Sequence, residues 1–382
     1  MRKSKVKVNQ LWQLILGFVL INFSVFMPLF SANASVLSDT AASMSPGEWK
    51  LLDAPIPKGY FITESTTSQP PASQSLAQID TGYWDPPSKR VYFIGAGHGM
   101  IPLFAQYDEA TNSWLSGSLE GFGGHTHGYD HNALDIVNRK LFRAKYNSTR
   151  SFIYDLDTQA WSENFNPTLP KYLGIINAFE YFPEVNGLLL LDYRQEKVRM
   201  LKHGSTQWET ILENTGINGY QSMMEYNPVH HIMYLGGGYN DGTGAYTLKN
   251  LFVLDKDFNL KEVASSPRGF VLSYSNDKGS TNTVDPVTGN LLIFANDGNL
   301  YEYHYDKNVW STKPANYPPI MAEGRYPALA SVSIRIDTYG VIMIIKTRGE
   351  SLSEAWLYKH SPSEIVPPPT QPKNLSIKKV GL

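Results

Sequence analysis

The sequence predicts an all-β protein, a β-propeller of six blades closed by an N-terminal strand. Six turn-bearing segments each join two apolar runs. An outer-strand marker recurs 47 to 52 residues apart, at Trp114, Trp161, Trp208, Leu260 and Trp310. After the sixth turn the sequence predicts a third strand but no fourth strand for the last blade. Residues 47–55, which include Trp49, resemble such a fourth strand. Pairing that strand into the last blade would leave no open sheet edge.

The turn-bearing segments predict β-hairpins. Asp or Asn accepts backbone hydrogen bonds, Pro presets φ, and Gly, Asn or Lys closes the turn before an apolar strand begins. In the fifth copy, Asp285, Pro286 and Gly289 occupy these places. The copies span residues 83–93, 133–142, 181–191, 225–235, 283–294 and 335–345. Each copy supplies the first two strands of a blade.

The ends of these repeats resemble a known repeat family. FAQYDEATNSWL (104–115), FIYDLDTQAW (152–161) and YEYHYDKNVW (301–310) resemble the tyrosine-to-tryptophan end of a kelch repeat, whose period is about 50 residues. GGG (236–238) resembles the kelch double glycine. Residues 45–361 thus resemble the kelch-repeat propellers of the galactose oxidase central-domain type. The resemblance implies a fold and no activity, since a chain without cysteine cannot form the cysteine-to-tyrosine crosslink of galactose oxidase.

The two ends of the chain predict export and a single propeller domain. A basic start, an apolar run and the small residues around Ala34 are typical of a signal peptide over residues 1–34, and the alternative is an uncleaved anchor. We expect a linker over 35–45, the six-bladed propeller over 46–361 and a proline-rich linker and tail over 362–382. The protein is therefore expected to be secreted or periplasmic, with cleavage near Ala34.

Composition limits the partners. Charged residues are 18% of the chain and the formal net charge is −2, which argues against nucleic-acid binding because that function needs a basic face. We expect a monomer that does not contact the membrane once the signal peptide is removed.

Histidines concentrate in two loops that a propeller would place at one end. His98 lies in the turn after the second strand of blade one, and His125, His127, Tyr129 and His131 lie in the next connection between blades. His98, His125 and His127 could bind a divalent metal, since imidazole is a common metal ligand. His127, Tyr129 and His131 could instead act as general acids and bases. A third interpretation is that they only hydrogen-bond neighbouring blades.

Arginine and tyrosine recur in the loops of that same end. Guanidinium groups pair bidentately with carboxylate or sulfate, and tyrosine rings pack on flat sugar faces. The pattern favours an anionic, flat ligand such as an acidic polysaccharide, although ordinary solvated loop charges would give the same composition. The predicted ligand-binding residues are His98, His125, Tyr193, Arg194, Tyr220, Tyr239, Arg268, Arg325 and Arg348.

Two functional interpretations stay open at this point. The first is a binding module that holds an extracellular glycan, acidic or neutral, or a protein partner. The second is an enzyme that acts on acidic sugars, either a polysaccharide lyase or a sugar epimerase, with His and Tyr as acid–base residues. The sequence does not decide whether catalysis occurs, and no cofactor is expected beyond the divalent metal left open above.

Overall fold

The computed structural model describes residues 35–61, 76, 81–95, 103–118, 132–144, 151–162, 178–239, 247–272, 279–322, 331–348 and 352–362. These ranges are nearly all β, and their only α-helices are α1 (Val36–Ala42) and α2 (Pro319–Ala322). Within them no helix has the length and hydrophobicity to cross a bilayer. The all-β prediction is confirmed.

The strands form antiparallel units of four in chain order, preceded by strand β1 (Trp49–Leu51). The first unit is β2 (Thr81–Asp85), β3 (Arg90–Gly95), β4 (Leu103–Asp108) and β5 (Ser113–Ser118). The second is β6 (Asn132–Asp135), β7 (Lys140–Ala144), β8 (Ser151–Asp155) and β9 (Ala160–Ser162). The third is β10 (Phe179–Phe182), β11 (Gly187–Asp192), β12 (Lys197–Lys202) and β13 (Glu209–Leu212).

The later units follow the same plan. The fourth is β14 (Met223–Asn227), β15 (Ile232–Gly236), β16 (Leu251–Leu254) and β17 (Leu260–Glu262). The fifth is β19 (Gly279–Val284), β20 (Leu291–Ala295), β21 (Asn299–His304) and β22 (Val309–Pro314), with the short β18 (Val271–Leu272) parallel to β19. The last group is β23 (Ser331–Ile336), β24 (Val341–Arg348) and β25 (Leu352–Tyr358).

Strand β1 completes the last group. It pairs antiparallel with β25, with Trp49 opposite Tyr358 and Leu51 opposite Trp356. The first strand of each unit contacts the first strand of the next, and β23 meets β2 through a parallel pairing of Thr81 with Ser333. Four-stranded sheets that adjoin through their first strands are the arrangement of a β-propeller.

The hairpin turns inside each unit share one backbone feature. The residue that closes the turn adopts a left-handed conformation, which Gly and Asn tolerate best. The six positions are Lys89 (φ 52°), Arg139 (φ 56°), Asn186 (φ 48°), His231 (φ 57°), Gly289 (φ 72°) and Gly340 (φ 64°). Asp85 accepts the backbone N–H of Ser88, and Asp285 accepts that of Thr288. The Asp-rich sequences thus form the hairpin turns that were predicted.

Three tryptophans of the outer strands connect their unit to the one before it. The indole Nε1 of Trp310 donates to the Ala264 carbonyl at 2.7 Å, in the connection that leaves the fourth unit. Trp114 donates to Ala54 at 3.0 Å, just after β1. Trp49 donates to Ala315 at 3.0 Å, just after β22. Trp49 therefore occupies the position of an outer-strand marker.

One expectation differs from the structure at the N-terminal side. Residues 35–45 were expected to be a linker, yet α1 lies there and its Leu37 and Ala41 are buried with Met44 in the core beside β23 to β25. Leu37 and Ala41 are four residues apart, so one helical turn brings both to the same face. Two apolar positions were too few to indicate a helix in the sequence.

Candidate functional site

One end of the propeller collects the loops in which ligand contacts were predicted. The turns between the first and second strands of each unit lie at the opposite end. This end therefore carries the connections between units and the turns after each second strand. We call it the rim. Its described part includes the turns at 193–196, 237–239 and 296–298 and the connections at 213–222 and 263–270.

Three predicted tyrosines come together at the rim of the third and fourth units. The ring centroids of Tyr193 and Tyr220 are 5.9 Å apart at an interplanar angle of 77°, and those of Tyr220 and Tyr239 are 4.8 Å apart at 76°. The backbones of Tyr220 and Tyr239 exchange hydrogen bonds of 2.9 Å and 2.8 Å. This edge-to-face cluster is held by main chain as well as by ring packing.

Arg194 adds a cation to the cluster. Its Nε donates to the Tyr193 hydroxyl at 3.0 Å, and its guanidinium carbon is 5.7 Å from the centroid of that ring. The Arg194 side chain is exposed, whereas Tyr220 and Tyr239 are half-buried. We define the tyrosine–arginine cluster as Tyr193, Arg194, Tyr220 and Tyr239.

Gln221 lies beside this cluster and was not predicted from the sequence. It is 1% exposed, its φ is 60°, and both Oε1 and Nε2 are buried without a hydrogen-bond partner among the described residues. A buried, unpaired amide in the left-handed region is unfavourable on both counts. Such a combination is more common at ligand sites than in a stability-driven core.

Arg268 has a different environment from Arg194. It is 8% exposed, its Nη1 lies 2.9 Å from the Asp297 carboxylate, and its Nε donates to the Gly269 carbonyl at 3.0 Å. Its guanidinium carbon is also 5.7 Å from the centroid of the Tyr301 ring. Arg268 therefore holds the connection at 263–270 against Asp297 and Tyr301 of the fifth unit. Its charge already has a partner within the chain, the Asp297 carboxylate.

The other predicted site residues lie wholly or partly outside the described part of the chain. Arg348 ends β24 opposite Leu352, and only its backbone is described. The residues outside the described ranges are His98, His125, His127, Tyr129, His131 and Arg325. The metal and acid–base hypotheses for the histidines stay predictions. Among the described residues, no group of three His, Cys, Asp or Glu side chains could hold a metal ion.

A second polar group lies along the first strands, and the sequence interpretation missed it. Tyr83 of β2 donates to the Asn132 carbonyl and lies 3.4 Å from Glu180 Oε2. Arg335 of β23 donates from Nη1 to the Tyr226 carbonyl of β14 at 2.7 Å. The Tyr83–Glu180 and Arg335–Tyr226 contacts join first strands that belong to non-adjacent units, so these groups meet near the propeller axis.

Two carboxylates of this axial group are buried. Burial raises the pKa of Glu180 well above its usual value, and the neighbouring charge of Glu225 raises it further, while Arg335 opposes the shift. Both glutamates interrupt otherwise apolar strands, FEYF and MMEYN. A charged residue at the centre of such a strand was the sequence signal that could have identified them.

The class of protein follows from the strand arrangement. No known protein family and no curated protein sequence matches the chain. A crystal structure of a nidogen/laminin complex is similar over 63% of this chain and 80% of that chain, with 12% identity and a TM-score of 0.44. A structural genomics protein of unknown function from Bacteroides thetaiotaomicron is similar over 81% and 75%, with 12% identity and a TM-score of 0.48. The fold is of the β-propeller type.

Proposed function

We propose that this chain is an exported, six-bladed, kelch-like propeller that binds an extracellular glycan through the tyrosine–arginine cluster at its rim. Export rests on the signal-peptide pattern over residues 1–34. We expect the protein to be a monomer with a single propeller.

Six blades and closure by β1 are supported by two repeated features. The left-handed turn residue recurs once in each of six hairpins. Trp49 donates to the preceding unit as Trp114 and Trp310 do, which makes β1 the outer strand of the blade formed with β23, β24 and β25. Ring closure by a strand from the other end of the chain satisfies edge groups that would otherwise be unpaired.

The observation that carries the binding proposal is the tyrosine–arginine cluster. Tyrosine combines an apolar ring with a hydroxyl and loses little conformational entropy on binding, which suits it to sugars. Arg194 is exposed, so a carboxylate on the glycan could pair with its guanidinium. The unpaired amide of Gln221 beside the cluster supplies a donor and an acceptor for sugar hydroxyls.

A glycan array tests the proposal. We expect the full chain to bind uronate-containing or sulfated glycans, with binding that weakens as salt rises because exposed charge pairs are screened. Arg194→Ala should weaken binding by about 10- to 100-fold, corresponding to about 1.5–3 kcal/mol for a charge-assisted hydrogen bond. Arg199→Ala is the matched control, since Arg199 on β12 donates hydrogen bonds to Thr210 of β13 and to Gln195 in the turn before β12. Equal losses in both variants would contradict the assignment.

The same samples address the enzyme alternative, in which His127, Tyr129 and His131 act on acidic sugars. Incubating bound glycans with the protein while following absorbance of unsaturated products separates binding from β-elimination. Absorbance that rises with wild type and fails to rise with His127→Ala would replace the binding module by a lyase.

A further inference from the structure

A buried guanidinium whose Nη1 has no partner among the described residues lies away from the tyrosine–arginine cluster. Arg143 of β7 is 5% exposed, and its Nη1 meets no hydrogen-bond acceptor among the described residues. No described carboxylate forms an ion pair with it, and burial alone lowers its pKa to about 9. An uncompensated buried charge is among the least favourable features a fold can carry, so its presence requires an explanation.

Asn132 is the direct neighbour of this arginine. It begins β6 and is paired with Arg143 across the strands. Directly opposite side chains on one face of an antiparallel pair have Cβ atoms about 4.5–5.5 Å apart. Asn132 Nδ2 donates to the Ile94 carbonyl at 3.4 Å. The other polar atom of the amide, Oδ1, is buried and accepts no hydrogen bond from the described residues.

Both side chains face the first unit. Leu134 and Leu141 lie two residues further along the same strands and pack with Ile94 and Phe104 of the first unit. Because side chains alternate along a strand, Asn132 and Arg143 share that face at the rim ends of β6 and β7. The pair therefore presents one unsatisfied donor and one unsatisfied acceptor at the junction of two blades.

We propose that Asn132 and Arg143 form a binding site for a hydroxycarboxylate, such as the carboxylate and adjacent hydroxyl of a uronic acid. The guanidinium of Arg143 would pair with the carboxylate, and Asn132 Oδ1 would accept the hydroxyl hydrogen. A neutral sugar lacks the charge that Arg143 needs, and acetate lacks the donor that Asn132 needs. Only a group with both would satisfy the two side chains at once.

The site does not depend on the tyrosine–arginine cluster. Arg143 faces the first unit from the second, whereas Tyr193, Tyr220 and Tyr239 belong to the third and fourth units. Loss of one site should therefore leave the other in place.

Thermal unfolding of the full chain with three small probes tests the proposal. We expect galacturonate to raise the melting temperature by a few degrees in a concentration-dependent way, because a ligand that binds only the folded state stabilises it. Acetate should have a smaller effect and galactose none. Arg143→Met should remove the part of the galacturonate effect that this site contributes, leaving only binding at the tyrosine–arginine cluster, and should not lower the melting temperature in buffer, since it removes an uncompensated charge. Arg199→Met, which removes a partnered arginine, should keep the galacturonate effect.

Asn132→Asp supplies the missing carboxylate from within the chain. We expect this variant to raise the melting temperature in buffer and to reduce the galacturonate effect as Arg143→Met does, since the guanidinium is then already paired. Two results would overturn the proposal: no galacturonate effect on wild type, or an effect of unchanged size in both Arg143→Met and Asn132→Asp. If the effect survives there but is lost in Arg194→Ala, galacturonate binds at the rim cluster, and the proposed function stands without this site.

Discussion

Buried carboxyl groups in this propeller differ in whether a neighbouring group compensates their charge. Glu302 is buried, and its carboxylate lies 3.0 Å from His360 Nε2 while accepting a hydrogen bond of 2.7 Å from Asn290 Nδ2. Glu180 is also buried, but its strongest charged neighbour is another glutamate. The two carboxyl groups should therefore respond to pH in opposite directions.

Replacing Glu180 with glutamine should stabilise the protein at neutral pH. The raised pKa of Glu180 means that the folded state holds the proton after the unfolded state has lost it. Its contribution to stability is thus highest below the unfolded value and falls as pH rises, by about 1.4 kcal/mol for each unit of pKa difference. Urea unfolding should show a larger gain for Glu180→Gln at pH 7 than at pH 4. The exposed Glu209→Gln is the control, and equal gains at both pH values would contradict the assignment.

Replacing Glu302 with glutamine should have the opposite effect. Burial alone would raise the pKa of Glu302, but the hydrogen bond and charge of His360, together with the Asn290 hydrogen bond and the charge of His304, lower the pKa to about 2. The carboxylate therefore contributes stability above the unfolded pKa, and that contribution is lost as pH falls toward about 2. We expect Glu302→Gln to cost on the order of 3 kcal/mol at pH 7. Acid titration of both proteins should show the difference shrinking between pH 5 and pH 2; a constant difference would argue against it.

At the scale of elements, the hairpins and outer strands were readable from the sequence because their signals are local. Asp85 and Asp285 form their turns within three residues. A left-handed residue lies two positions before Trp114, Trp161 and Trp310. The sites were less readable. Asn132 and Arg143 become neighbours only through strand register, and Tyr193 meets Tyr220 only when two blades adjoin. Spacing along the chain does not encode these contacts.

The tryptophan contacts between units can be measured by replacing the indole with an aromatic ring that has no N–H donor. Trp310→Phe should keep the ring packing against Tyr303, whose centroid is 5.3 Å away, but lose the hydrogen bond to the Ala264 carbonyl. We expect a loss of about 1–2 kcal/mol in the free energy of unfolding. Trp208→Phe is a matched control, since the Trp208 Nε1 is buried and has no partner among the described residues. That variant should lose less, and a larger loss for Trp208→Phe would contradict the role given to the Nε1 donors.

At the scale of the whole molecule, the structure depends on the join between β1 and β25. Trp49 packs against Tyr358 with centroids 4.5 Å apart and against Phe294 at 5.8 Å, so it contacts both the last and the fifth unit. The sequence predicted this pairing from a missing strand at one end and a spare strand at the other. It did not predict α1, whose two buried side chains pack in the core that includes Ala355 and Leu357 of β25.

Truncating Trp49 should weaken the join. Trp49→Ala removes the ring contacts and the hydrogen bond to Ala315, and we expect a loss of about 2–4 kcal/mol. An exposed edge on β25 should also promote association through strand pairing, visible as concentration-dependent mass in sedimentation. Leu51→Ala is the control, because Leu51 is 48% exposed on the same strand. A Trp49→Ala protein as stable and monomeric as wild type would remove β1 from the closure.

The geometry of that join also sets how the molecule would respond to tension. Gly47 N donates to the Lys359 carbonyl at 2.7 Å, and Lys359 N donates to the Glu48 carbonyl at 3.1 Å. The segment before β1 and the segment after β25 therefore leave the paired strands at the same end. A pull applied through residues 47 and 360 would load these antiparallel bonds one after another, like a zipper, and never all together. In an optical trap the three-residue β1 should peel off first and at low force, before any other blade opens.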